Sequence, residues 1–138
     1  MTNQSAIQHK LEELDQYLQQ LQRLQRYTYN DLISDLEKCW AVEHGLQLVA
    51  QIVIDVGNAL LADRGENQIE TYADVIDRLG ETEILPPDFA QSIRGMAGFR
   101  NVLVHQYSKV DLHIVYYTLQ NRLGDFADFI RYVQDYLK

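Results

Sequence analysis

The spacing of Ile7, Leu11, Leu14, Leu18 and Leu21 is the strongest constraint on how this chain can fold. Steps of 4, 3, 4 and 3 residues put all five side chains on one stripe of a helix, because a turn takes 3.6 residues. The stripe continues to Leu24 and Tyr27 and predicts a first helix over about residues 5–26. Such a stripe must be buried against other elements, and no segment shows the two-residue alternation of a half-buried strand. Asn30 or Asp31 can start a second, long helix reaching about Ala62. Its second half is apolar nearly all round, with Leu46, Leu48, Val49, Ile52, Val53, Ile54, Val56, Leu60 and Leu61. A helix of that kind is surrounded by others. Arg64-Gly65-Glu66-Asn67 breaks it, and a short helix over about residues 72–79 is expected to stop at Gly80. Pro86-Pro87-Asp88 opens a fourth helix, since proline is pre-organised for a first helical turn. That helix is expected to end near Tyr107-Ser108. Asp111 or a neighbour begins the last, with the stripe Leu112, Val115, Leu119, Leu123, Phe126, Ile130, Val133, Leu137. The expected fold is all-α, an up-and-down bundle of four long helices plus one short helix, in a single domain over residues 1–138.

Composition narrows the function classes. Hydrophobic residues make up 46% of 138, which excludes a disordered chain. The first five residues lack the basic-then-apolar pattern of a signal peptide. The apolar run over residues 46–61 contains Gln47, Gln51, Asp55 and Asn58 and reads as too short and too polar for a bilayer. The single cysteine, Cys39, cannot form an internal disulfide, so a cytoplasmic location is expected. Beside Trp40 it reads as a small buried residue rather than a nucleophile. A net charge of −8 argues against non-specific nucleic-acid binding. The charge is uneven, however. Between Arg94 and His113 stand Arg94, Arg100, Lys109, His105 and His113 against one acid, Asp111. A local cationic patch in an acidic protein suits one specific phosphate site.

Within that patch lies Arg100-Asn101-Val102-Leu103-Val104-His105-Gln106-Tyr107, which reads R-N-x-x-x-H-x-Y. The arginine fork matches phosphate oxygens bidentately. Histidine can take and give protons near neutrality. Asn101 and His105, four residues apart, share one helix face, whereas Arg100 and His105 are about 140° apart on a straight helix. The arginine wraps round, the helix loosens near His105, or a second helix or subunit completes the groove. Gly95 and Gly98 stand upstream, where a neighbouring backbone could approach closely.

This pattern resembles the HEPN superfamily, and within it the HepT toxins of bacterial and archaeal toxin–antitoxin pairs. The resemblance also covers Ala41-Val42-Glu43-His44-Gly45-Leu46-Gln47, Ile54-Asp55-Val56-Gly57-Asn58, Tyr72-Ala73-Asp74-Val75, Leu85-Pro86-Pro87 and Met96-Ala97-Gly98-Phe99. It implies a metal-independent endoribonuclease toxin without cofactor, with Arg100 and His105 as the catalytic pair and Asn101 as a polar helper. It further implies a homodimer whose two motifs meet in a composite groove, which would answer the 140° separation. The implied partner is a small nucleotidyltransferase antitoxin that transfers AMP to the tyrosine of H-x-Y, here Tyr107. The implied substrate is single-stranded or looped RNA, such as tRNA or mRNA, cleaved by attack of its own 2′-hydroxyl.

Gln47, Gln51, Asp55 and Asn58 form a polar stripe on the second helix, either a solvated edge or a place from which Asp55 or Asn58 supports Arg100. Glu43-His44 could face the same groove. No Glu-x-x-His or His-x3-His spacing exists for a helical-bundle metal site, and no glycine-rich phosphate loop is present. Two other function classes stay open: a non-catalytic helical binding partner of a nucleotidyltransferase, and a structural helical dimer.

Overall fold

The computed structural model describes residues 2–66, 69–95 and 112–138. Seven helices and no strand occur among the described residues: α1 (Thr2–Leu24), α2 (Tyr29–Ser34), α3 (Leu36–Asp63), α4 (Tyr72–Glu81), α5 (Pro87–Ile93), α6 (Leu112–Asn121) and α7 (Leu123–Leu137). The α1 stripe is core throughout, with Ile7, Leu11, Leu14, Leu18 and Leu21 all buried. It packs against α3, and α7 closes on α1 from the other side. Burying each such side chain is worth about 1.5–3 kcal/mol, so this stripe alone contributes on the order of 10 kcal/mol toward the ordering cost.

The second expected helix is two helices. Asp35 ends α2 and starts α3: its N–H donates to the Asp31 carbonyl, and its carboxylate accepts from the N–H groups of Glu37 and Lys38. An aspartate that caps the next helix holds an extended backbone (φ −130°, ψ 103°), which breaks the run despite continued apolar spacing. The α2 start also moves, to a capping box between Thr28 and Asp31. From Leu46 onward α3 is enclosed as expected, with only Leu48 among the apolar residues named there left half-buried. At 28 residues α3 is long and apolar enough to cross a membrane by length and composition, which corrects the reading of its apolar run as too short. In the bundle that apolar surface is taken up by α1, α2, α4 and the last two helices.

Gly80 does not stop the short helix expected over residues 72–79. It lies buried inside α4, which runs to Glu81, and a Cβ there would come within 2.8 Å of the Ala90 Cβ on α5. The glycine serves helix contact rather than termination. Likewise a Cβ at Gly57 would lie 2.6 Å from Val75 Cγ1, so α4 seats on α3 through the missing side chain. Pro87 stands in the first turn of α5 as its sequence predicts. The last expected helix is also divided, at Arg122, between α6 and α7. Its stripe is otherwise buried or partly buried, and Phe129, which the stripe omits, is fully enclosed.

Candidate functional site

The described residues bracket the motif rather than contain it. On one side α5 delivers Ser92, Ile93, Arg94 and Gly95; on the other, α6 begins with Leu112, His113 and Ile114. Arg100, Asn101, His105 and Tyr107 lie outside the described residues, as do Gly98, Lys109 and Asp111.

Aromatic packing fixes the exit side. The His113 ring lies parallel to Tyr29 of α2, with centroids 4.5 Å apart and planes 9° off. The Tyr29 hydroxyl is 3.2 Å from His113 Nε2, and Tyr116 meets Tyr29 edge-on at 5.8 Å. Such ring pairs contribute about 0.5–1.5 kcal/mol beyond area burial. They tie α6 to α2 immediately after the motif. Nothing local in the sequence announces this pairing, since Tyr29 and His113 stand 84 residues apart.

The entry side is held by ion pairs. Arg94 Nε donates to Asp77 Oδ1 at 2.8 Å. That hydrogen bond and the Asp77 charge, with Asp74 further off, raise the arginine pKa above its ordinary value. Arg94 therefore fastens the end of α5 to α4, and it is a weaker candidate for a phosphate than its place in the cationic patch suggests. A Cβ at Gly95 would meet nothing within 4 Å, so close helix packing is not its role among the described residues.

Between the end of α5 and the α6–α7 junction is an open hollow of about 210 Å³. Its walls include Ile93, Gly95, Ile114, Tyr117, Arg122 and Phe126. Tyr117 is 56% exposed and Ile114 46%, whereas Val115 and Leu119 on the same helix are fully buried. Arg122 Nε donates to Asp125 Oδ2 at 2.6 Å, and its Nη2 donates to the Ser92 carbonyl at 3.0 Å. The guanidinium thus joins the α6–α7 break to α5. The stripe on α6 shows which residues face the core, but not that Tyr117 and Arg122 meet Ile93 across a gap.

Asp55 is described in full. Its Oδ1 accepts from Gln51 Nε2 at 2.8 Å, and its Oδ2 is 3.9 Å from Lys10 Nζ. Asp55 therefore sits half-exposed on the α1–α3 seam. Asn58, exposed, borders a separate hollow with Thr71 and Tyr72. The polar stripe on α3 thus serves two surfaces.

Cys39 is buried, and its thiol pKa is pushed up to about 11 by burial first, then by the charge and hydrogen bond of Glu43. Burial raises the Glu43 carboxyl in turn, with Cys39 opposing. A thiol held neutral in this way is a packing residue, as its sequence context predicts. His44 is exposed. Among the described residues no three His, Cys, Asp or Glu side chains gather as metal ligands would.

Comparison with known proteins places these features in context. The family described as Ribonuclease HepT-like matches residues 7–133, which span the bundle and the motif. The tRNA nuclease HepT of Aphanizomenon flos-aquae is 29% identical over 131 residues, covering 95% of this chain and 89% of the relative. The mRNA nuclease HepT of Shewanella oneidensis is 27% identical over 85 residues, 62% of this chain and 64% of the relative. In three dimensions the chain is similar to the tri-AMPylated Shewanella oneidensis HEPN toxin solved in complex with MNT antitoxin. The TM-score is 0.84 at 22% identity, covering 94% of this chain and 96% of that one.

Proposed function

Because the chain belongs to the HepT-like ribonuclease family, we propose that it is the RNA-cleaving toxin of a toxin–antitoxin pair. The observation that carries this reading is the family match over residues 7–133, which takes in every position of R-N-x-x-x-H-x-Y. Arg100 and His105 are the proposed catalytic pair. The RNA 2′-hydroxyl attacks the adjacent phosphorus, the bond to the 5′-oxygen breaks, and that oxygen leaves with a proton. His105 moves a proton, as base toward the 2′-hydroxyl or as acid toward the leaving oxygen, a role worth about 10²–10⁴-fold. Arg100 holds the phosphate and stabilises the charge that grows on it. Products are a 2′,3′-cyclic phosphate and a 5′-hydroxyl. No metal ion is needed, since nucleophile and phosphate come from the substrate itself.

Asn101 supplies a further polar contact. Asp55 is proposed as a support for the motif with a separate test, because its observed partners are Lys10 and Gln51: Asp55→Ala with unchanged cleavage and unchanged stability removes it. The protein acts in the cytoplasm as a homodimer in which two motifs share one groove. Its stripes on α1, α6 and α7 are occupied by core packing, so the dimer uses other surface. A nucleotidyltransferase antitoxin silences it by transferring AMP to Tyr107. The added bulk and negative charge oppose RNA entry beside Arg100 and His105. The relatives named above act on tRNA in one case and mRNA in another, so the RNA class proposed for this chain is single-stranded or looped RNA in general.

The test is cleavage of RNA by purified protein in excess EDTA, followed by end-group analysis. Cyclic-phosphate ends that disappear in Arg100→Ala and in His105→Ala support the reading. A folded protein that binds its antitoxin and cleaves no RNA overturns it in favour of a non-catalytic binding partner.

A further inference from the structure

We propose that the hollow at the α6–α7 junction is a subsite for one base of the RNA, stacked on Tyr117. This rests on the ribonuclease reading above and adds where the strand lies relative to the motif.

Four observations point there. First, α6 buries Val115 and Leu119 completely yet leaves Tyr117 and Ile114 about half exposed over an apolar recess. An aromatic face and a branched aliphatic held open to water are an unused apolar surface. Second, a volume of about 210 Å³ admits one flat ring system and no helix or strand of a protein partner. Third, the fixed polar groups are of both kinds. Arg122 and Asp125 pair at 2.6 Å and leave no net charge, and the Thr118 hydroxyl, whose proton goes to the Ile114 carbonyl at 2.7 Å, adds an acceptor. A neutral wall with donors and acceptors is poor for a phosphate and suited to a base, whose edges carry both. Fourth, the chain that carries the motif departs from one wall and returns to the other. Gly95 lines the hollow, and so does Ile114. Arg100 follows Gly95 by five residues, so full extension sets its Cα within about 18 Å of the glycine Cα. One RNA strand can therefore place a base in the hollow and a nearby phosphate at the motif.

Tyr117 is a binding residue in this account and takes no part in proton transfer. Its exposure means that substitution leaves the core intact.

The experiment uses a short single-stranded RNA that the wild-type protein cleaves, with 2-aminopurine placed at successive positions around the cleavage point. Bound to the His105→Ala protein, one position shows quenched fluorescence from stacking. Tyr117→Ala removes that quench and raises KM about tenfold with kcat changed far less, in line with the range for base stacking on an aromatic side chain. Tyr117→Phe keeps the ring and restores both. Ile114→Glu, which sets a carboxylate at the mouth, also raises KM. If the wild-type protein cleaves no RNA, the ribonuclease reading fails and the subsite falls with it. If cleavage is normal but both variants keep the wild-type KM and the quench, the subsite alone is wrong. Loss of dimer mass or of antitoxin binding in Tyr117→Ala, with KM for RNA unchanged, overturns it in favour of a protein contact.

Discussion

Two groups of large apolar side chains stand exposed on this molecule, and they differ in company. Ile33, Leu36 and Trp40, the last 60% exposed, surround the α2–α3 break among Asp35, Glu37 and Glu43. Ile114 and Tyr117 stand in the stretch from Arg94 to Arg122, where Arg94 and Arg122 are paired with Asp77 and Asp125 and the other formal charges are Arg100 and Lys109 against Asp111. The rest of the chain carries eight cations and nineteen acids. Apolar exposure is thus common to both regions and decides nothing alone. A neutral wall beside the motif separates the surface proposed for RNA from the acidic one, which repels it.

Substitutions at the motif, in the core and on the two surfaces have separable effects. The largest effect expected is at the motif: His105→Ala lowers RNA turnover by 10²–10⁴-fold, with the circular dichroism spectrum retained. Loss of fold in that variant would shift His105 to a structural role. Next, Leu14→Ala in the α1 stripe destabilises by about 2–5 kcal/mol in urea melts, because Leu14 is fully enclosed. Its turnover, corrected for folded fraction, stays near wild type, and so separates the core from the site. Third, Cys39 in native protein at pH 8 reacts with iodoacetamide about a hundredfold more slowly than in denatured protein, since its pKa is raised from 9.0 to about 11. The sign follows from linkage. The folded state holds this proton more tightly, so the contribution is complete below pH 9 and is lost as pH rises toward 11. Cys39→Ala flattens that alkaline limb. Fourth, Asp35→Ala costs about 1 kcal/mol by removing the α3 cap. The smallest effect sharpens the contrast directly: Trp40→Ser leaves KM for RNA within about twofold, whereas Tyr117→Ala does not.

Sequence periodicity made the bundle legible wherever the apolar stripe and the helix coincide. The residues from Ile7 to Leu21 are the clear case, and the enclosed half of α3 is another. It failed where the helix breaks under an unbroken apolar rhythm, at residues whose side chains are tied to backbone groups. Asp35 turns its carboxylate onto the amides of Glu37 and Lys38, and the final helix divides at Arg122, whose guanidinium reaches the Ser92 carbonyl thirty residues away. Gly80 misled for the opposite reason: a residue that terminates helices when exposed was required for contact with Ala90. The R-N-x-x-x-H-x-Y spacing is visible in one dimension because the residues proposed for catalysis lie within eight positions. The Tyr29–His113 stack and the hollow beneath Tyr117 join distant stretches and have no such signature.

The seat of α4 on α3 has a mechanical consequence. Gly57 lets Val75 come so near that a methyl group would act as a wedge at the base of a lever. Its arm is α4 with α5, and its tip is the backbone at Arg94 and Gly95. Arg122 latches α5 to the α6–α7 junction through the Ser92 carbonyl. The position of Gly95, the last described residue before the motif, is therefore set by a missing side chain thirty-eight positions earlier in the polypeptide.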